Sequence, residues 1–153
     1  MARMNTSGLD ALIGDMQKMG QQIGPMADAM VSAAMADIRD CWVESAEEHE
    51  HIDTRAMIES IGTSHPPVHL GDAVMNEVSP QGKDKSGTRN AEKAFILNFG
   101  SSMIKPSHWV DEAEAKAGGV VQNTLEDMWG KFIESGGVVP PVVDTGGLVH
   151  HEH

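Results

Sequence analysis

The sequence predicts an α+β fold with long helices near both ends. Three observations carry this: apolar residues recur every three or four positions across roughly the first fifty residues, the same period returns after residue 107, and one stretch between them has even, strand-like spacing. At 153 residues the chain is about one domain long. The expected division is a domain over residues 1–135 and an extended arm over 136–153.

Leu9, Leu12, Ile13, Met16, Met19 and Ile23 set one face of a first helix, with Thr6 and Ser7 as its caps. Gly24 and Pro25 are expected to end it, since proline lacks an N–H and suits the first turn of a new helix. Met26, Met30, Ala34, Ile38, Trp42 and Ala46 then follow at a spacing of four, which predicts a second, long helix over residues 25–49. Asp53 or Thr54 can cap a short third helix through Ile61, after which Gly62, Pro66 and Pro67 forbid helix.

Val68, Leu70, Val74 and Val78 keep the even spacing of a half-buried strand or a bent pair, with Gly71 at the bend. Residues 80–87 are polar and contain two glycines, and an exposed, mobile loop is expected there. Residues 89–99 read as a fourth helix carrying Ala91, Ala94, Phe95, Leu97 and Phe99, closed by Gly100 in a left-handed cap position. Ser107 can cap the last helix, and Asp111 and Glu112 suit its positive end. Val110, Ala113, Ala117, Val121, Thr124, Met128 and Phe132 mark its buried side, while Gly118 and Gly119 weaken its middle. Beyond Gly136 the chain has no period, and this arm either hangs loose or docks on a neighbour.

Net charge is −12, with 23 acidic and 11 basic residues. This disfavours tight nucleic-acid binding, which draws its strength from cations neutralising phosphates. The imbalance is local. Residues 37–53 hold seven acids against Arg39, whereas residues 83–105 hold five bases against two acids. The apolar residues include 11 Met, three Trp, three Phe and no Tyr, a composition that gives an adaptable core or a surface able to repack against a neighbour.

Cys41 stands alone, which excludes an intrachain disulfide, fits a reducing environment, and suggests a small buried apolar group. Asp10 and Asp15 interrupt what would have to be the apolar part of a signal peptide, and no run approaches a membrane span, so a soluble chain with no membrane partner is expected. His49 and His51 lie two residues apart and would point to different sides of a helix, so no metal site is assigned to the acidic stretch around them. His150, His151 and His153 receive no role. No Gly-x-Ser-x-Gly elbow or Walker order occurs, and neither an enzyme nor a cofactor is expected.

Several stretches taken together resemble a known family. They are Gly8, Leu9, Asp10 and Leu12 in the first helix, an Ala-rich second helix, and the segment from Asp53 and Thr54 to Ile61. Sharper is the run from Arg89 to Ser102, where Phe95, Leu97 and Phe99 precede Gly100, Ser101 and Ser102. Pro106, Trp109, Val110 and Ala113 follow it. In order and spacing, over residues 5–135, this resembles the tail-component family of long-tailed double-stranded DNA bacteriophages, whose members act as tail-completion or head-to-tail joining proteins. The tail after Gly136 is not part of that pattern.

The resemblance implies a ring-forming virion subunit in which a small sheet packs on the long helices. It further implies a homo-oligomer, commonly a hexamer, placed between neck or connector and tail tube proteins and assembled in the host bacterial cytoplasm. Genomic DNA would cross the lumen without specific binding. Candidate channel-lining acids are Asp37, Asp40, Glu44, Glu47, Glu48, Asp111, Glu112 and Glu114, which could equally keep an outer surface soluble. Candidate interface residues in the arm are Val138, Val139, Pro140, Pro141, Val142 and Val143. The competing expectation is a small acidic phage regulatory protein that binds a host or phage partner as a monomer or dimer. A metal-dependent hydrolase is a third.

Overall fold

The computed structural model describes residues 6–49, 55–71 and 73–143, with the side chains of 6–12 outside that description. Helix α1 runs without interruption from Thr6 to Glu48. The expected break at Gly24 and Pro25 is absent. Pro25 sits on the exposed side, where the Gln21 carbonyl left without its helical donor can turn to water, while Met26 and Ala29 beside it are buried and hold the helix on course. The caps expected at Thr6 and Ser7 lie outside the described side chains, and those at Asp53 and Thr54 outside the described residues.

Helix α2 covers Arg55–Ser60, and Ile61, expected to end it, instead opens strand β1 (Ile61–Gly62). Strands β2 (Val68–Leu70) and β3 (Ala73–Met75) form an antiparallel hairpin turning at Gly71, whose φ of +60° suits glycine. This is the bent pair, but β2 is exposed throughout and only Val74 of β3 is half-buried. His69 Nε2 lies 2.8 Å from Asp28 Oδ1 and ties the hairpin to α1.

Strand β4 (Ser79–Pro80) pairs antiparallel with β1, so Pro80 is buried and does not open a loose loop. The loop beyond it is largely exposed, as expected, and is tied by its own hydrogen bonds. Asp84 Oδ1 accepts from the Ser86 N–H, the Ser86 hydroxyl and the Thr88 N–H, each at 2.9 Å, and Oδ2 pairs with Lys93. The Lys93 contact comes first among the causes that hold this carboxyl well below the ordinary carboxylate range. Buried Asn90 donates to the Gln81 carbonyl at 2.7 Å, which fastens the loop to helix α3 (Asn90–Phe99).

Helix α4 spans Trp109–Glu134 and packs antiparallel along α1, with Ser45 donating to the Trp109 carbonyl at 2.6 Å near one end and Gly137 against Met19 near the other. The N-cap position of α4 falls on His108 and not on Ser107, whose hydroxyl donates to the Leu97 carbonyl at 2.6 Å. Asn98 of α3 supplies the cap, its Oδ1 accepting from the N–H groups of Val110 (2.9 Å) and Asp111 (3.4 Å). The buried side of α4 follows the expected positions: Ala113, Ala117 and Phe132 are buried, as is Trp109 before them, and Val110, Val121, Thr124 and Met128 are half-buried.

The core gathers where α1 ends and α4 begins. Ala46, Met57, Ile58, Ile61, Ala94 and Trp109 pack together there, and Trp42 meets Trp109 edge-on at 5.7 Å between ring centroids. Cys41 is buried and free, and burial raises its thiol pKa. The first residues of the arm lie against the chain's own helices, sharing a cleft of about 380 Å³ with Ala33, Met128 and Phe132. Over residues 138–143 the arm therefore does not hang loose. Residues 144–153 lie outside the described residues.

Candidate functional site

Antiparallel packing of α1 on α4 brings the two acidic segments to one end of the molecule. Glu44 pairs with Lys116, and His49 Nε2 stands 2.5 Å from Glu112 Oε2. Asp40, Glu44, Glu47 and Glu48 of α1 and Asp111, Glu112 and Glu114 of α4 are all exposed. Asp37 departs from this group. It is half-buried, with Oδ2 enclosed and lacking a hydrogen-bond partner, and so suits an outer wall poorly.

Several acids are partly compensated. Arg55 meets Glu47 and Glu59 at 3.5 and 3.2 Å, Arg39 meets Asp40 at 3.5 Å, and His108 meets Asp111 at 3.1 Å. The hydrogen bond from Lys116 lowers the Glu44 pKa, and the same bond raises that of Lys116. The result is a negative seam stitched by cations. Among the described residues, no group of three or more His, Cys, Asp or Glu is arranged to hold a metal ion. His51 and Asp53 lie outside the described residues. No helix among the described residues is long and apolar enough to cross a membrane.

Uncovered apolar surface is the second feature. Phe95 and Phe99, one turn apart on α3, meet at a tilt of 48° with centroids 4.7 Å apart and are 63% and 56% exposed. Met103, just beyond, is 93% exposed. Sequence reasoning marks these residues only as apolar positions of a helix. The signal lies in the spacing: Asn90, Ala94 and Asn98 recur every four residues and form the buried face, which turns Phe95 and Phe99 outward. Ile13, Met16 and Ile23 are exposed on the N-terminal half of α1, as are Trp129 and Ile133 on α4.

A groove lies between α1, α4 and the β2–β3 hairpin. It consists of two adjoining hollows of about 400 and 470 Å³ that share Met35 and Asn76. In the arm, Val139 and Pro140 are half-buried, and Val138, Pro141, Val142 and Val143 are exposed. Compared with known proteins, the chain matches no family model, no curated protein and no solved structure.

Proposed function

We propose that this chain is a structural subunit of a long-tailed phage virion. In this reading it forms a ring, a hexamer, at the neck or the head-proximal end of the tail, and DNA passes through the lumen. The observation that supports it best is uncovered apolar surface on several unlike elements of one small chain: the α3 aromatic pair, the N-terminal half of α1, and the arm. Patches of this kind mark contact with other proteins. Unlike faces that meet heterologously close into rings when the rotation permits. The resemblance of the Arg89–Ser102 run to tail-component proteins supplies the location.

The acidic seam gives the lumen a chemistry. Duplex DNA carries about one negative charge per 1.7 Å, so a basic wall would grip it during ejection and an acidic wall would not. Repulsion acts only within about 8 Å at physiological salt, the range of a channel wall. Asp40, Glu44, Glu47, Glu48, Asp111, Glu112 and Glu114, all exposed, are the wall candidates.

Light scattering and negative-stain imaging across a concentration series, alone and with purified tail tube protein, test the reading. A closed ring is expected. A monomer under every condition overturns it and favours the regulatory alternative. Carboxylate-to-amide replacement along the seam is expected to slow ejection at low salt, and unchanged rates would remove the lumen assignment.

A further inference from the structure

We propose that the cleft formed by Ala33, Met128 and Phe132 is the seat for the arm of a second copy of this chain, so that neighbouring copies trade arms. This rests on the self-association in the reading above and names its contact.

The chain's own arm shows what fits the seat. Pro140, Pro141 and Val143 share its 380 Å³ with Met128 and Phe132. An identical arm from another copy fits equally, because the contact is apolar packing. Among the described residues, no hydrogen bond or ion pair fastens residues 139–143 to the helices. The bonds stop at the joint, where the Gly137 N–H donates to the Phe132 carbonyl at 2.9 Å and the Val138 N–H to Ser135 Oγ at 3.0 Å. Nor does the segment need its own helices to hold its shape, since two consecutive prolines fix their φ and leave little freedom to lose on docking.

The joint supplies the reason for the arm to leave its own chain. To reach the cleft the chain doubles back on α4, since Val143 shares the cleft with Asp127 and Lys131, which precede Ser135. The reversal takes two successive glycines at φ +72° and +105°. Glycine loses more conformational freedom on folding than any other residue. Gly137 is also pressed against α1, where a Cβ would come within 3.1 Å of Met19 Cγ and 3.2 Å of its Cα. An arm that runs straight on to a neighbour needs neither the reversal nor the close approach.

In a dilute subunit the tether favours the arm's own seat, and a neighbour held at high local concentration removes that advantage. Arm and seat are different surfaces. Each copy therefore gives an arm to the next and takes one from the last, a head-to-tail exchange that closes in a ring.

The test uses three full-length variants, each checked for wild-type circular dichroism. Gly137→Val disfavours the reversal and leaves arm and seat intact. It should associate at a concentration at least about tenfold below that of wild type on analytical ultracentrifugation, because only the competing fold-back is weakened. Met128→Arg blocks the seat, and Pro141→Asp with Val143→Asp spoils the arm at two exposed positions. Each of these alone should associate more weakly than wild type. Mixed one to one, they retain one sound arm and one open seat and should give a heterodimer that does not grow.

If wild type forms rings and Gly137→Val, correctly folded, associates no more tightly, the exchange is wrong and the ring reading stands. The same holds if either spoiled variant assembles as wild type does, or if their mixture gives no heterodimer; the mixture alone decides where Gly137→Val fails to fold. Wild type that stays monomeric under every condition overturns the ring. The exchange then falls with it if the Gly137→Val chain and the mixture are monomeric too, and stands without it if they associate.

Discussion

At Gly100 the backbone takes φ +81° and ψ 178°, a combination open to glycine and closed to other residues. A left-handed cap was expected; the positive φ is there, but the chain leaves extended, not helical. A Cβ at this position would lie 2.7 Å from the Ile104 carbonyl oxygen and 2.8 Å from Pro106 Cδ. Gly100→Val should therefore destabilise by about 2–4 kcal/mol, combining backbone strain with the clash, as measured by urea unfolding. Asp84 offers a pH test. Its folded pKa lies below the ordinary 3.8, so its contribution is complete above that value and is lost as pH falls toward the folded pKa. Asp84→Asn should be less stable than wild type at neutral pH, and the gap should narrow once pH drops below about 4. A gap that widened in acid would mean that the Lys93 pair is not the cause.

Between residues and the whole stand the helices, and α1 shows what periodicity reveals and conceals. Its apolar spacing from Leu9 to Ala46 predicts helix on both sides of Pro25, and both are present. The expected break fails because a proline's cost depends on whether its side of the helix is exposed and whether packing on the other side continues, and neither is local information. Pro25→Ala restores one hydrogen bond and should stabilise by about 1–3 kcal/mol in thermal or urea unfolding. The α4 face was legible for the same reason that α1 was, a long run of one period. The fastening of the Gln81–Thr88 loop was not, since beside the Asp84 bonds at its tip it comes from side chains meeting carbonyls: Asn90 on Gln81, and Gln81 Nε2 on Gly62 at 3.2 Å. The four-residue spacing of Asn90, Ala94 and Asn98 was there to be read, but apolar periodicity favours Phe95 and Phe99 for the buried face, and only the hydrogen bonds of the two asparagines reverse that choice. The acids were legible as a composition, but their joining into one seam required the antiparallel pairing of α1 with α4.

For the molecule as a whole, the arm is the part whose role changes most between chain and assembly. Its described residues cover the Phe132 end of α4 while leaving Val138 and Val142 more than half exposed. A chain ending at Gly137 should keep its helical circular dichroism and associate more weakly than the full chain. Unchanged affinity on analytical ultracentrifugation would remove the arm from the interface. Net charge of −12 opposes association at long range, so raising salt from 20 to 200 mM, about 21 to 7 Å of screening length, should strengthen subunit contact on analytical ultracentrifugation.

The cap that Asn98 lends to α4 makes one helix a sensor of the other. Val110 and Asp111 hold their amide protons through a side chain twelve or more positions away, so those protons exchange with solvent when α3 lifts, even while α4 stays wound. A partner pressing on the outer face of α3 would slow that lifting. Deuterium uptake at Val110 would then report assembly from inside the subunit, through a half-buried amide twelve positions from the side chain that holds it.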